Sequence, residues 1–160
     1  RYATLVHDVG KGVTDKDKWP SHYAHETLGL PLQADISKRL HVPNEFSKIA
    51  ALVCEHHTKL HRIKELRPAT LLKLIEALDG FRRPERVQKF LLACEANAKG
   101  RTGLEKRDYP QNAYLTTILN ELSLLDLGAL LKEEKPKNPQ EFVQQSRLNL
   151  LSDILARLNI

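Results

Sequence analysis

Apolar residues in this chain recur at every third or fourth position, block after block, while the one-in-two alternation of a half-buried strand is almost absent. Phe46, Ile49, Ala50, Val53 and Leu60 form one such stripe, and Leu71, Leu72, Leu74, Ile75 and Leu78 form another. Val87, Phe90, Leu91, Cys94 and Ala98 make a third, and Tyr114, Leu115, Ile118, Leu119, Leu122 and Leu125 a fourth. Each stripe is bounded by residues that start or stop helices. Pro43-Asn44, Pro68 and Pro84 open three of them, where a missing backbone N–H costs nothing, and Gly80, Gly100 and Gly128 stand as stops. Shorter helices are predicted over 22–28 and 32–40, preceded by a segment ending at His7-Asp8 and a polar loop over 10–21. Asn138-Pro139-Gln140-Glu141 offers a cap, a first-turn proline and a capping-box glutamate for a last helix, set off by the charged stretch 132–138. These patterns predict an all-α bundle, with a main domain over 1–128 and a linker plus C-terminal helix over 129–160.

A chain of 160 residues is long enough to bury one full core. No apolar run approaches the roughly 20 residues of a membrane span, and no signal-like segment occurs, so no membrane partner is expected. The two cysteines, Cys54 and Cys94, each fall on an apolar stripe and form no Cys-x-x-Cys pair. They are expected as buried free thiols in a reducing, cytoplasmic setting. The net charge of +5 suits a polyanionic partner without demanding one. Arg1 to Val6 reads as helix interior and there is no initiator Met, so the chain is expected to be a fragment of a longer protein.

The chemistry centres on His7-Asp8-Val9-Gly10-Lys11. An imidazole and a carboxylate side by side can hold a divalent ion that activates water, and Lys11 adds a cation suited to a phosphate oxygen. Further histidines follow at His22, His25, His41, His56, His57 and His61. His57 lies four residues after Val53 on an inward stripe, and His61 is one turn further on. His22 and His25, three apart, would share a face if their segment is helical. Asn97, three residues after Cys94, also faces inward. So many inward imidazoles need a metal or a substrate to satisfy them. Other sites fit less well. His25-Glu26-Thr27-Leu28 continues with Gly29 and not the second His of a zinc-protease helix, and no paired cysteines, phosphate-binding loop or Gly-x-Ser-x-Gly elbow is present. Metal-assisted hydrolysis remains.

These residues resemble the HD superfamily of metal-dependent phosphohydrolases. His7-Asp8-Val9-Gly10-Lys11 resembles its signature, His25-Glu26-x-x-Gly29 its next element, and Leu52-Val53-x-x-His56-His57 the later histidine helix. More narrowly, Trp19-Pro20-x-His22-x-x-His25, Arg39-Leu40-x-Val42-Pro43-Asn44-Glu45, Leu78-Asp79-x-Phe81-Arg82-Arg83-Pro84-x-Arg86-Val87, Gly100-Arg101-Thr102-Gly103 and Tyr109-Pro110-Gln111 are similar to the C-terminal HD domain of bacterial CCA-adding tRNA nucleotidyltransferases. The resemblance implies an HD-domain helical bundle with an additional C-terminal helix. It also implies a divalent metal (Mg²⁺, Ni²⁺ or Mn²⁺) and hydrolysis of 2′,3′-cyclic phosphates, 2′-nucleotides and phosphomonoesters. His7 and Asp8 would be metal ligands, His25 and His57 further ligands or phosphate contacts, and Lys11, with Asp8, catalytic. The implied partners are the tRNA 3′ end and an N-terminal nucleotidyltransferase domain. The chain departs from the family in three places: the first ligand histidine would precede Arg1, Asn97 stands where the closing Asp ligand belongs, and Thr58 where close relatives carry Asp. An amide is a weaker ligand than a carboxylate. The alternative is therefore a weakened HD fold that mainly binds tRNA, through Arg82, Arg83, Arg86, Lys99, Arg101, Lys106 and Arg107.

Overall fold

The computed structural model of the chain describes residues 1–158. Its regular structure is entirely helical among those residues: α1 (Tyr2–Val6), α2 (His25–Arg39), α3 (Asn44–His61), α4 (Pro68–Ala77), α5 (Pro84–Lys99), α6 (Gln111–Ser123), α7 (Leu127–Glu134) and α8 (Pro139–Leu158). Short 3₁₀ turns occupy Val9–Val13, Lys16–Lys18 and Ile63–Glu65. The all-α class read from the apolar periodicity is what the chain adopts. Among the described residues no single helix is long and apolar enough to cross a membrane.

Helix α3 is the central element, in contact with α1, α2, α4 and α5. Its buried residues Ala50, Val53, Cys54, His57 and Leu60, joined by His56, follow the 3.6-residue period, so one stripe faces the interior from Ala50 on; Phe46, expected on that stripe, lies in the first turn before the buried part begins and is 55% exposed. Phe90 and Leu91 of α5, Leu71, Leu74 and Ile75 of α4, and Leu115 and Ile118 of α6 complete the core. Helix α8 packs on α4 and α6 and sends Leu151 and Ile154 into the same apolar cluster, both fully buried. The Arg147 guanidinium of α8 also lies 3.9 Å above the Phe81 ring. Cys54 and Cys94 are free and buried.

Three local expectations are corrected. The helices expected over 22–28 and 32–40 are one helix, α2, with Pro31 inside it. Pro31 and Thr27 are both exposed, so water can satisfy the Thr27 carbonyl that the proline cannot reach. The buried face Gly29, Gln33 and Ser37 runs through the proline and holds both halves to one line. Gly128 is not a stop. Helix α6 ends at Ser123, and the Asp126 side chain accepts from the Ala129 N–H at 2.9 Å to cap α7, which then takes in Gly128. The expected linker over 132–138 is helical through Glu134, and the turn comes at Lys135 in the left-handed region.

Candidate metal centre

The centre forms where the 3₁₀ turn after α1 crosses the start of α2. The crossing is close because two glycines meet there. A Cβ on Gly10 would lie 1.9 Å from the His25 carbonyl oxygen and 2.6 Å from the Gly29 nitrogen. A Cβ on Gly29 would lie 2.7 Å from Cys54 Sγ. No side chain fits between these backbones, and their contact sets Asp8 and Lys11 against His25.

Asp8 is the hub. Its Oδ1 lies 3.2 Å from His25 Nε2 and 3.5 Å from His57 Nε2, while Oδ2 lies 3.3 Å from His7 Nε2 and 2.6 Å from Lys11 Nζ. His7, His25 and His57 are buried, and the side chain of Asp8 is about a third exposed. Burial pushes the Asp8 carboxyl up, but the facing His57 and His7 rings and the Lys11 ammonium outweigh it and hold the group well below the usual carboxylate range.

The tautomers of the three rings follow from their other nitrogens. His7 Nδ1 lies 2.8 Å from the Thr4 carbonyl oxygen, His25 Nδ1 3.0 Å from that of His22, and His57 Nδ1 2.9 Å from that of Val53. A carbonyl oxygen only accepts, so each Nδ1 carries the proton and donates. Each Nε2 is thereby turned toward the Asp8 carboxylate, 3.2–3.5 Å from its oxygens. His7 Nε2, His25 Nε2 and Asp8 Oδ1 are buried with no hydrogen-bond partner. A divalent cation would satisfy them, because each of these three atoms is a ligand atom. One ligand atom each from His7, Asp8 and His57 lies within 4.8 Å of the others, the arrangement of a candidate metal site.

The remaining histidines stand apart from this set. His61, expected to converge with His57, does contact it, with ring centroids 5.8 Å apart. Its nitrogens, however, face Tyr109 Oη at 2.8 Å and Asn97 Nδ2 at 3.3 Å. Asn97 thus serves His61. Burial first, then the facing His57 and His7 rings, push the His61 pKa down to about 4. His22 shares no helical face with His25: it sits in a loop with φ of 48°, and its Nδ1 lies 2.7 Å from Thr14 Oγ1. Thr58 donates to Glu26 Oε1 at 2.7 Å. The motif His25-Glu26-x-x-Gly29 contains Glu26 without giving it a role; its Oε2 lies 3.4 Å from His25 Nδ1.

The cations singled out for RNA do not form one patch. Arg82, Arg83 and Arg86 gather on Asp79, at 2.7, 3.4 and 3.8 Å, at the start of α5. Lys99 pairs with Glu95 at the other end of that helix, about 22 Å away at 1.5 Å per residue. Arg101, Lys106 and Arg107 are exposed in the loop that follows.

Fold and centre together define a helical domain with a buried His/Asp cluster suited to a metal ion. The model of the HD-domain family matches residues 1–87, more than half of the chain, and the chain belongs to that family. It is similar to the multifunctional CCA protein of Teredinibacter turnerae, 50% identical over 135 residues that cover 84% of this chain and 33% of that protein. It is also similar to the multifunctional CCA proteins of Alcanivorax borkumensis (46% over 154 residues, 95% of this chain and 37% of the relative) and Pseudomonas paraeruginosa (54% over 115 residues, 72% and 28%). The chain therefore spans about a third of the length of these relatives. No solved structure matches it.

Proposed function

We propose that this domain is a metal-dependent phosphohydrolase acting on 2′,3′-cyclic phosphates, 2′-nucleotides and related phosphomonoesters. It would do so as part of a protein that matures or repairs tRNA 3′ ends together with a nucleotidyltransferase domain. The observation that carries the hydrolase reading is the convergence of three imidazole Nε2 atoms, of His7, His25 and His57, on the Asp8 carboxylate. His7, Asp8 and His57 would hold the ion, Mg²⁺, Mn²⁺ or Ni²⁺, with His25 closing the set or contacting phosphate. When bound, such an ion supplies Lewis acidity toward a phosphate ester and acidifies water. The protein's own part is electrostatic and positional. Lys11, 2.6 Å from Asp8 Oδ2, keeps that carboxylate ionised and sets a cation where a phosphate oxygen would gain charge. The tRNA context rests on the names of the relatives, each a multifunctional CCA protein.

A second reading, a weakened HD fold serving mainly to bind tRNA, draws on Asn97 and Thr58. Both are neutral, and both are taken by other side chains, His61 and Glu26. Hydrolysis of 2′,3′-cyclic AMP with each metal separates the two. Turnover that needs added metal and is lost in Asp8→Ala supports the hydrolase. Turnover that survives Asp8→Ala sinks it. Silence rescued by Asn97→Asp, with tRNA binding that weakens steeply with salt, favours the binding module.

A further inference from the structure

Three imidazole rings pack against His57, and two of them, His7 and His25, belong to the metal centre. The third is His61, one turn further along α3, whose nitrogens engage other partners. Nothing in the hydrolase reading gives His61 a task.

His57 needs more than its backbone bond to serve as a ligand. Its Nδ1 donates to two carbonyl oxygens at once, that of Val53 at 2.9 Å and that of Cys54 at 3.3 Å. This fixes one corner of the ring and leaves the ring to pivot about that corner, which carries Nε2 along an arc past Asp8. Only the groups lying against the ring can stop the pivot. His7 stands at 87° to it with centroids 4.8 Å apart, and His61 at 76° with centroids 5.8 Å apart, both in the perpendicular arrangement that aromatic pairs favour. His7 is itself a candidate ligand hung from one bond, that of its Nδ1 to the Thr4 carbonyl, so it is a poor fixed wall.

His61, by contrast, is gripped at three points. Its Nε2 accepts from Asn97 Nδ2 of α5 at 3.3 Å, so its Nδ1 carries the proton and donates to Tyr109 Oη at 2.8 Å. Its carbonyl oxygen accepts from Gln111 Nε2 of α6 at 3.2 Å. The Tyr109 ring also meets that of His61 at 79°, with centroids 5.8 Å apart. Helices α3, α5 and α6 and the loop before α6 thus bear on one residue. An apolar side chain would fill the same space with no polar nitrogens to satisfy. An imidazole with both nitrogens taken does more: it is a wall whose orientation is fixed.

We infer that His61 is a positioning residue of the metal centre: anchored by Tyr109 and Asn97, its ring fixes that of His57 and so holds His57 Nε2 toward the ion. A ligand set works only within about 0.5 Å and 10–20° of its geometry, so the anchors set metal affinity through His61. The inference rests on the reading of His7, Asp8, His25 and His57 as a metal centre. It gives Asn97 a task there that is not ligation.

The test uses the full chain and Co²⁺, whose visible d–d bands report the geometry of its ligands. Affinity is read by calorimetry, folding by urea unfolding of the metal-free chain, and turnover of 2′,3′-cyclic AMP separately. Tyr109→Phe removes one oxygen atom and frees His61 Nδ1, while His61→Ala removes the ring. Co²⁺ affinity should fall roughly 10-fold in the first and as much as 100-fold in the second, the range seen when an outer support of a metal ligand is lost, with altered bands in both. His61→Phe, which keeps a ring against His57, should recover most of what His61→Ala loses. Leu151→Ala, at a fully buried position in α8, is the control for simple loosening: its urea midpoint should drop while Co²⁺ affinity and bands stay those of the wild type. Tyr109→Phe and His61→Ala proteins that lose stability yet keep wild-type affinity and bands overturn the inference. So does a His61→Phe protein that binds no better than His61→Ala. Co²⁺ binding that depends on Tyr109 and His61 without turnover keeps the positioning role and removes the hydrolase. Metal-dependent turnover with an affinity indifferent to both residues keeps the hydrolase and removes the positioning role. A wild type that binds no Co²⁺ removes both.

Discussion

Gly10→Ala should be among the most damaging single-methyl changes in this domain, and the structure says by how much. The added Cβ would sit 1.9 Å from the His25 carbonyl oxygen, 2.6 Å from the Gly29 nitrogen and 2.9 Å from the Gly29 Cα. Real contacts essentially never fall under 3.0 Å, so the 3₁₀ turn and α2 must part by about 1 Å. All three atoms are backbone, and no rotamer can relieve them. Overpacking a core ordinarily costs about 1–3 kcal/mol, and a rigid clash of this kind belongs at or above the top of that range. The stiffer unfolded chain gives back only about 0.4–1 kcal/mol. A net loss of about 2–3 kcal/mol follows. Gly12, two residues on, is the control: a Cβ there meets nothing within 4 Å, and its φ is not positive. Gly12→Ala should stabilise by about 0.4–1 kcal/mol. Urea unfolding followed by far-UV circular dichroism measures both. Parting the backbones also draws His25 from Asp8, so calorimetric metal affinity in Gly10→Ala should fall about 10-fold or more, as when a support of a metal ligand is lost. A Gly10→Ala protein within about 0.5 kcal/mol of wild type, the range of an ordinary surface change, would refute the close approach. Lost stability with full metal affinity would refute its link to the cluster.

The half-buried His61 should make stability depend on pH. Its folded pKa of about 4 lies below the ordinary 6.5, so between those values the unfolded chain binds a proton that the native state does not, and stability falls as pH drops through that window. The loss is at most about 3 kcal/mol, and His61→Gln should flatten the curve by that amount in denaturant titrations; an identical slope in both proteins would count against it. Burial pushes the Cys54 thiol up to about 11 and that of Cys94 higher still, so neither should react with Ellman's reagent at pH 8 until the chain unfolds. One thiol reacting in the native state at the rate of free cysteine would contradict this. Leu151→Ala in α8, at a fully buried position, should cost about 2–5 kcal/mol, whereas Leu124→Ala, 83% exposed, should stay within about 0.5 kcal/mol. A Leu151→Ala cost below about 1 kcal/mol would mean that α8 adds little to the core.

Much of the fold is written in single-helix patterns. The stripes of α4, α5 and α6, and that of α3 from Ala50 on, bury most of the residues their period picks out, because one helix face decides the matter locally; Phe46, in the first turn of α3, is exposed instead. The errors fall where a tertiary contact overrides a local signal. Pro31 looks like a break, and its cost is real, but the face Gly29-Gln33-Ser37 is gripped on both sides of it. Tyr2 Oη lies 2.6 Å from Ser37 Oγ, and Gln33 Nε2 donates to the same oxygen at 2.7 Å, tying α1 to the second half of α2. Gly128 reads as a stop because glycine often is one, yet Asp126 two residues earlier is the stronger signal, since its side chain satisfies a helix N–H. The start of α2 at His25 could not be read at all, because it is set by left-handed residues at 22 and 24 that are not glycine.

The candidate centre divides in the same way, and the division bears on how such a site can decay. Residue types at 7, 8, 11, 25 and 57 show in the sequence, but the turning of His61 toward Tyr109, 48 residues on, does not. The close approach of Gly10 and Gly29 joins segments whose spacing carries no sign of it. The tautomers, by contrast, are local. His7 and His25 each donate to the carbonyl three residues back, and His57 to the one four back. Those acceptors are backbone, so no substitution removes them while α1, α3 and the loop at His22 keep their shape. The readiness of each Nε2 for a cation is therefore robust to sequence drift. What drift can change is the number of carboxylates, because each is a side chain whose amide or hydroxyl replacement leaves the fold intact. Asn97 and Thr58, neutral where the resemblance would place carboxylates, are each paired with a neighbour, His61 or Glu26. In this domain the imidazole half of the centre is held by the backbone, and the carboxylate half rests on Asp8.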